Sequence, residues 1–148
     1  MTAHLRLLLV EDNPERIATF TSWVPPTVRL LVANSAGKAI GILQRDRGRV
    51  FVGIALDHDL NEQAITSRDL DLSGKDVMKA IALHVSRDTP ILVHSMNVSG
   101  GPAMAARLRQ AGFEVTQIRM QALDEQSFRA WLAEAVELWE LTTDPETD

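Results

Sequence analysis

Leu5-Arg6-Leu7-Leu8-Leu9-Val10-Glu11-Asp12-Asn13-Pro14 is the stretch whose reading decides the fold. Its first six residues make an apolar run of strand length, and the run stops at two adjacent carboxylates. Asn13 is a preferred N-cap and Pro14 fits the first helical position, so a helix is predicted to leave the strand's end and run until the Pro25 and Pro26 pair stops it. A strand passing directly into a helix is half of a βαβ unit, the building block of a parallel sheet.

The same switch of period recurs along the chain. Thr27 to Ala33, Phe51 to Leu56, Pro90 to His94 and Glu114 to Ile118 read as further strands. Helices are predicted from a Ser35 cap through about Arg47, from Ser73 or Gly74 to about Ser86, and from the Ser99 to Pro102 segment to Gly112. Asp124 caps a last helix whose Phe128, Trp131, Leu132, Ala135, Val136 and Trp139 share one face, a spacing that needs only a sheet to pack against. The expected architecture is α/β, a five-stranded parallel sheet with helices on both faces, in one domain over residues 1–141. Residues 142–148 read as an acidic solvated tail. The connection from Asn61 to Leu72 has no convincing period; a lid over the strand ends and a solvated surface insertion both fit it.

Composition bounds the function. A chain of 148 residues with 45% hydrophobic and 24% charged residues suits a single buried core, and no apolar stretch reaches the roughly 20 residues of a membrane span. A formal charge of -5 argues against duplex nucleic acid, whose binding needs clustered Lys and Arg to replace counterions. Cysteine is absent, which excludes disulfides and thiolate metal sites. The N-terminus lacks a signal-type pattern, so a cytoplasmic location is the default expectation. Oligomeric state is not legible at this level.

Chemistry concentrates at the predicted strand ends. Glu11 and Asp12 follow the first strand, Asp57, His58 and Asp59 the third, and neighbouring parallel strands would bring them to one crevice at the carboxyl edge. Carboxylates so close repel unless protons or a cation offset them, and an oxygen-rich site favours a hard cation, Mg²⁺ or Mn²⁺. Glu11, Asp12 and Asp57 are the candidate metal ligands, with Asp59 a further ligand or base. His58 or His94 could move protons near neutral pH. Ser95 and Asn97 can donate to phosphate oxygens, while Ser99, Gly100 and Gly101 would add backbone N–H groups at a helix start. Adjacent residues of a regular strand face opposite sides, so His94 and Ser95 cannot both enter the crevice unless the strand ends or bulges between them; a packing residue is the alternative reading of His94. The partner class is a phosphate-bearing small molecule or a phosphodonor protein.

The segments LLLVEDNPER, IALDHDL, SGKDV and PILVHS, in this order, resemble the receiver domain of bacterial response regulators. The resemblance implies a flavodoxin-like fold, Mg²⁺ binding at Glu11 and Asp12, a phosphoacceptor position at Asp57, and Ser95 as the hydroxyl residue ending the fourth strand. That family ends its fifth strand in lysine; here the residues are Ile118, Arg119 and Met120. LDHDL at Leu56 to Leu60 together with VHSMN at Val93 to Asn97 is similar to the atypical cyclic-phosphate-processing receiver group. That likeness implies action on cyclic phosphates, for which Asp57, Asp59 and either His58 or His94 are the candidate catalytic residues. After Asn97 the chain carries Val98, Ser99, Gly100 and Gly101 in place of the Pro and Arg often found there. Three functions follow as expectations: a phosphate-processing enzyme, a phosphorelay receiver accepting a phosphoryl group on Asp57, and a non-catalytic protein-binding module.

Overall fold

A computed structural model describes residues 5–46, 50–57, 74–95 and 100–142. In chain order it contains β1 (Leu5–Val10), α1 (Pro14–Trp23), β2 (Val28–Ala33), α2 (Ala36–Leu43), β3 (Gly53–Asp57), α3 (Gly74–His84), β4 (Ile91–Ser95), α4 (Gly100–Gln110), β5 (Val115–Arg119) and α5 (Glu125–Thr142). The strands form one sheet in the order β2-β1-β3-β4-β5, and every neighbouring pair is parallel. The chain goes outward from β1 to β2 and then returns to β3 on the other flank of β1. That reversal makes β1 and β3 the switch point, where the connections diverge and leave a crevice beyond the strands' carboxyl ends.

Strand alternation divides the core into two. Leu8, Val10, Ile54, Leu56, Ile91 and Val93 face one side and pack with Leu43 of α2, Ile81 of α3 and Leu108 of α4. Leu7, Leu9, Ala55 and Leu92 face the other and meet Phe20 of α1 and Phe128, Trp131 and Leu132 of α5. Burial on both faces explains why the strand sequences are nearly continuous apolar runs rather than alternating ones. The aromatic spacing of the last helix is thus a core feature: Phe20 and Phe128 meet edge-on at 5.3 Å between centroids, and Phe128 lies 6.1 Å from Trp131. Gly53 lets the Trp131 ring lie against the sheet, since a Cβ there would stand 2.9 Å from Cη2 of the indole.

Local signals act as the sequence suggests. Asn13 Oδ1 accepts from the backbone N–H groups of Glu15 and Arg16 at 2.9 and 3.1 Å, with Pro14 at the first helical position. Ser35 Oγ accepts from the Lys38 N–H, and Asp124 Oδ1 from that of Ser127. Gly112 ends the turn after α4 with φ +102°, a left-handed conformation that favours glycine.

Several boundaries differ from expectation. The second helix stops at Leu43 rather than near Arg47, passing into a turn at Gln44 and Arg45. The third helix ends at His84, two residues short of Ser86. Phe51 and Val52 precede β3, whereas Asp57 and Ser95 extend their strands by one residue beyond the apolar runs, Ser95 ending β4 as the receiver resemblance implies. Ladder pairing depends on the backbone, so a strand continues past its last apolar residue wherever a neighbour still offers partners. Thr142, expected in the tail, closes α5. The rest of that tail and the Asn61 to Leu72 connection lie outside the described residues.

Candidate functional site

The alternation that sorts the core also builds the site. Leu7, Leu9 and Glu11 share a side of β1 and its extension, as do Ala55 and Asp57 on β3 and Leu92 and His94 on β4. Val10 is in register with Leu56, and Asp57 with His94, so the three rows end level with one another. One ligand atom each from Glu11, Asp57 and His94 lies within 4.8 Å of the others, and all three residues are buried. Asp12 is also buried, at 1% exposure, in the turn that follows β1, and is not in this trio.

Glu11 is the centre of the network. Its Oε1 accepts from Arg16 Nε at 2.8 Å and meets His94 Nε2 at 3.2 Å. Its Oε2 accepts from the backbone N–H groups of Asp12 and Asn13 at 3.0 and 3.2 Å, and from Arg16 Nη2 at 3.2 Å. Burial by itself would raise this carboxyl; the hydrogen bonds from His94 and Arg16, with a contact to Asp57, overcome it and hold the group well below the usual carboxylate range. An ionised carboxylate only accepts, so His94 Nε2 is the nitrogen that carries the proton facing Glu11. The His94 ring is fully buried and lies 4.9 Å from Phe20 between centroids, while its Nδ1 has no hydrogen-bond partner among the described residues.

Arg16 was not singled out by the sequence reading. The Asn13 cap starts α1 so that Arg16 sits in its first turn, and the guanidinium reaches back over the end of β1 to grip Glu11 in a two-pronged contact. The same Nη2 stands 3.8 Å from Asp57 Oδ2. A usable signal was present: an arginine three residues after an N-cap, beside a strand ending in carboxylates, is placed to fold back on them.

The remaining candidates separate. Because β4 runs through Ser95, His94 and Ser95 face opposite sides, so the strand neither ends nor bulges between them. Ser95 belongs to the row that faces α4, where Gly101 packs so closely that an added Cβ would lie 3.4 Å from Ser95 Cβ and 3.2 Å from Gln117 Nε2. Gly100 opens α4. Arg119, in register with Ser95, is exposed at the end of β5 where the lysine was expected. His58, Asp59, Asn97 and Ser99 lie outside the described residues.

A five-stranded parallel sheet in this order, with an acidic crevice at the switch point, defines a receiver-type domain. The profile of the cyclic-phosphate processing receiver domain matches residues 6–110, and the chain belongs to that family. Among solved structures it is similar to the receiver domain of sensor histidine kinase PA1611 from Pseudomonas aeruginosa PAO1, which holds a magnesium ion in its active-site cleft. The TM-score is 0.67 at 20% identity over 91% of this chain and 99% of that one. It is also similar to the signal receiver domain of an HD domain-containing protein from Pseudomonas fluorescens Pf-5, with a TM-score of 0.68 at 15% identity over 91% and 96% of the two chains. A response regulator from Burkholderia pseudomallei, with a phosphorylated aspartic acid, calcium ion and citrate, gives a TM-score of 0.63 at 19% identity over 92% and 71%. At these identities the likeness concerns the fold. No curated protein matches in sequence. Among the described residues no helix is long and apolar enough to cross a membrane.

Proposed function

We propose that this receiver-fold protein is a divalent-metal-dependent enzyme that processes cyclic phosphate esters at the carboxyl edge of its sheet. The observation that carries the reading is the convergence of buried Glu11, Asp57 and His94 at the switch point. Among the described residues, buried Glu11, Asp12 and Asp57 outnumber the single arginine that faces them, which favours a further cation, and oxygen donors suit Mg²⁺ or Mn²⁺. Asp57 and the neighbouring Asp12 would hold the ion. Bound there, it would neutralise charge on phosphoryl oxygens.

The chain's own groups supply the rest. Glu11, gripped from both sides, fixes the turn that presents Asp12. His94 donates from Nε2 to Glu11 and acts as a positioning residue. Ser95 offers a hydroxyl from the other face, and Gly101 brings the first turn of α4 up to it. On the strength of the DHDL resemblance, Asp59 would take the proton of a water that attacks phosphorus, and His58 would give a proton to the alkoxide that leaves.

A second reading, a phosphorelay receiver accepting a phosphoryl group on Asp57, is favoured by the place of Asp57 in the final position of β3. The two are separated by incubating the protein with Mg²⁺ and either acetyl phosphate or 2′,3′-cyclic nucleotides, followed by intact mass and product analysis. Multiple-turnover opening of the cyclic phosphate is expected. A stable mass gain on Asp57 without turnover would replace the enzyme by the signalling receiver.

A further inference from the structure

Glu11 is surrounded by more donors than its lone pairs can serve. A carboxylate offers about four lone-pair sites. Five N–H groups already approach it: Arg16 Nε and His94 Nε2 on one oxygen, and Asp12 N, Asn13 N and Arg16 Nη2 on the other. A cation that bound Glu11 would have to displace one of them. Two belong to the backbone of the β1–α1 turn, and His94 is locked in a fully buried position against Phe20. Arg16 alone comes from a side chain with access to solvent, being 18% exposed, and it is also the donor that leans toward Asp57.

We infer that Arg16 is the resident counter-cation of the crevice, occupying the place where a divalent ion would otherwise meet Glu11, so that Asp12 and Asp57 are left to bind the metal and Arg16 sets its affinity. The inference rests on the metal-site reading given above. It changes the expected ligand set of Glu11, Asp12 and Asp57: Glu11 becomes an anchor for Arg16 and the turn, not a ligand. A fixed positive charge 3.8 Å from an Asp57 oxygen opposes an incoming divalent cation at short range, where solvent screens it little. Metal would bind weakly to the wild type, and Arg16 would offset part of the carboxylates' charge without it.

The test uses the full chain with Arg16→Met, which keeps the stem and removes the charge. Arg129→Met, at an exposed position paired with Glu125, serves as control for the same change in net charge. Titration calorimetry with Mn²⁺ should show Arg16→Met binding about ten-fold or more tightly than wild type, with Arg129→Met unchanged. In chelator, Arg16→Met should melt below wild type and recover on addition of Mn²⁺, whereas wild type should respond little. If Arg16→Met is unfolded in chelator, its refolding by Mn²⁺ supports the inference, and failure to refold while wild type binds Mn²⁺ overturns it. Equal or weaker Mn²⁺ binding by a folded Arg16→Met overturns it while leaving the metal site standing. If no variant binds Mn²⁺, the metal reading falls, and Arg16 is then judged on chelator melting alone: a midpoint equal to wild type defeats its role as counter-cation.

Discussion

Glu11→Gln tests whether one buried carboxylate holds the crevice together. The amide keeps the shape and removes the charge, but only one of its two ends can accept. With the amide oxygen in the Oε2 position it serves the Asp12, Asn13 and Arg16 Nη2 donors and leaves Arg16 Nε and His94 Nε2 facing an NH₂ group; reversed, it abandons the other three. Each buried donor left unserved costs about 1–3 kcal/mol, and breaking one side of a buried ion pair costs roughly 3–5 kcal/mol, so both routes give a similar penalty. For a chain of this size that corresponds to a fall of roughly 10–15 °C in melting temperature. The pH dependence has a definite sign. The Glu11 carboxyl is depressed in the folded state, so its contribution is complete above the unfolded value of about 4.3 and is lost as pH falls toward the lower folded value. Melting followed by circular dichroism from pH 7 to pH 3 should therefore show the gap between wild type and Glu11→Gln narrowing below about pH 4. A midpoint within about 2 °C of wild type at pH 7, or a gap that does not narrow in acid, would refute the anchoring role.

Three further outcomes follow from the same geometry. His94→Gln, whose amide can still donate to Glu11, should keep turnover of a 2′,3′-cyclic nucleotide within about ten-fold of wild type, while His94→Leu should lose about 10²-fold; a loss of that size in a well-folded His94→Gln would instead make His94 a proton-transfer group. Asp57→Asn should weaken Mn²⁺ binding by about ten-fold or more in calorimetry, because it removes a ligand charge, and unchanged affinity would place the metal elsewhere. Gly53→Ala should destabilise the fold by about 1–3 kcal/mol in urea unfolding and alter tryptophan emission, since the new Cβ would come within 2.9 Å of the Trp131 ring; unaltered stability would show that the indole has room to retreat.

The fold was largely legible because its signals are local. Asn13-Pro14, Ser35 and Asp124 start helices by capping chemistry that needs no tertiary partner, and the apolar runs are dense because both faces of the sheet are covered. The apolar runs alone stop short of Asp57 and Ser95, although the receiver resemblance places Ser95 at the end of the fourth strand, and both residues belong to strands. Parallel pairing had carried the backbone ladder through them. The convergence of the acidic strand ends was also readable, since it depends only on βα repetition and the switch point it creates.

The identity of the trio needed one fact that local sequence does not contain, the register between strands far apart in the chain. Alternation puts Glu11 in a row with Leu7 and Leu9, and His94 in a row with Leu92, but only the Val10–Leu56 and Asp57–His94 pairings bring those rows level. Adjacency in sequence makes Asp12 and Glu11 equal candidates; register singles out Glu11 for the trio and leaves Asp12 beside it in the turn that follows β1. The same logic turns His94 from a choice between packing and chemistry into both: it is buried against Phe20 and, through Nε2, fixes the carboxylate that Arg16 grips. A buried ion pair is weak support for stability by itself, because desolvation offsets attraction. Its more telling property here is placement. Two backbone donors, one histidine and one arginine fix Glu11 at the turn that carries Asp12, with Asp57 beside it, so the carboxylates are held in one geometry at the carboxyl edge of the sheet.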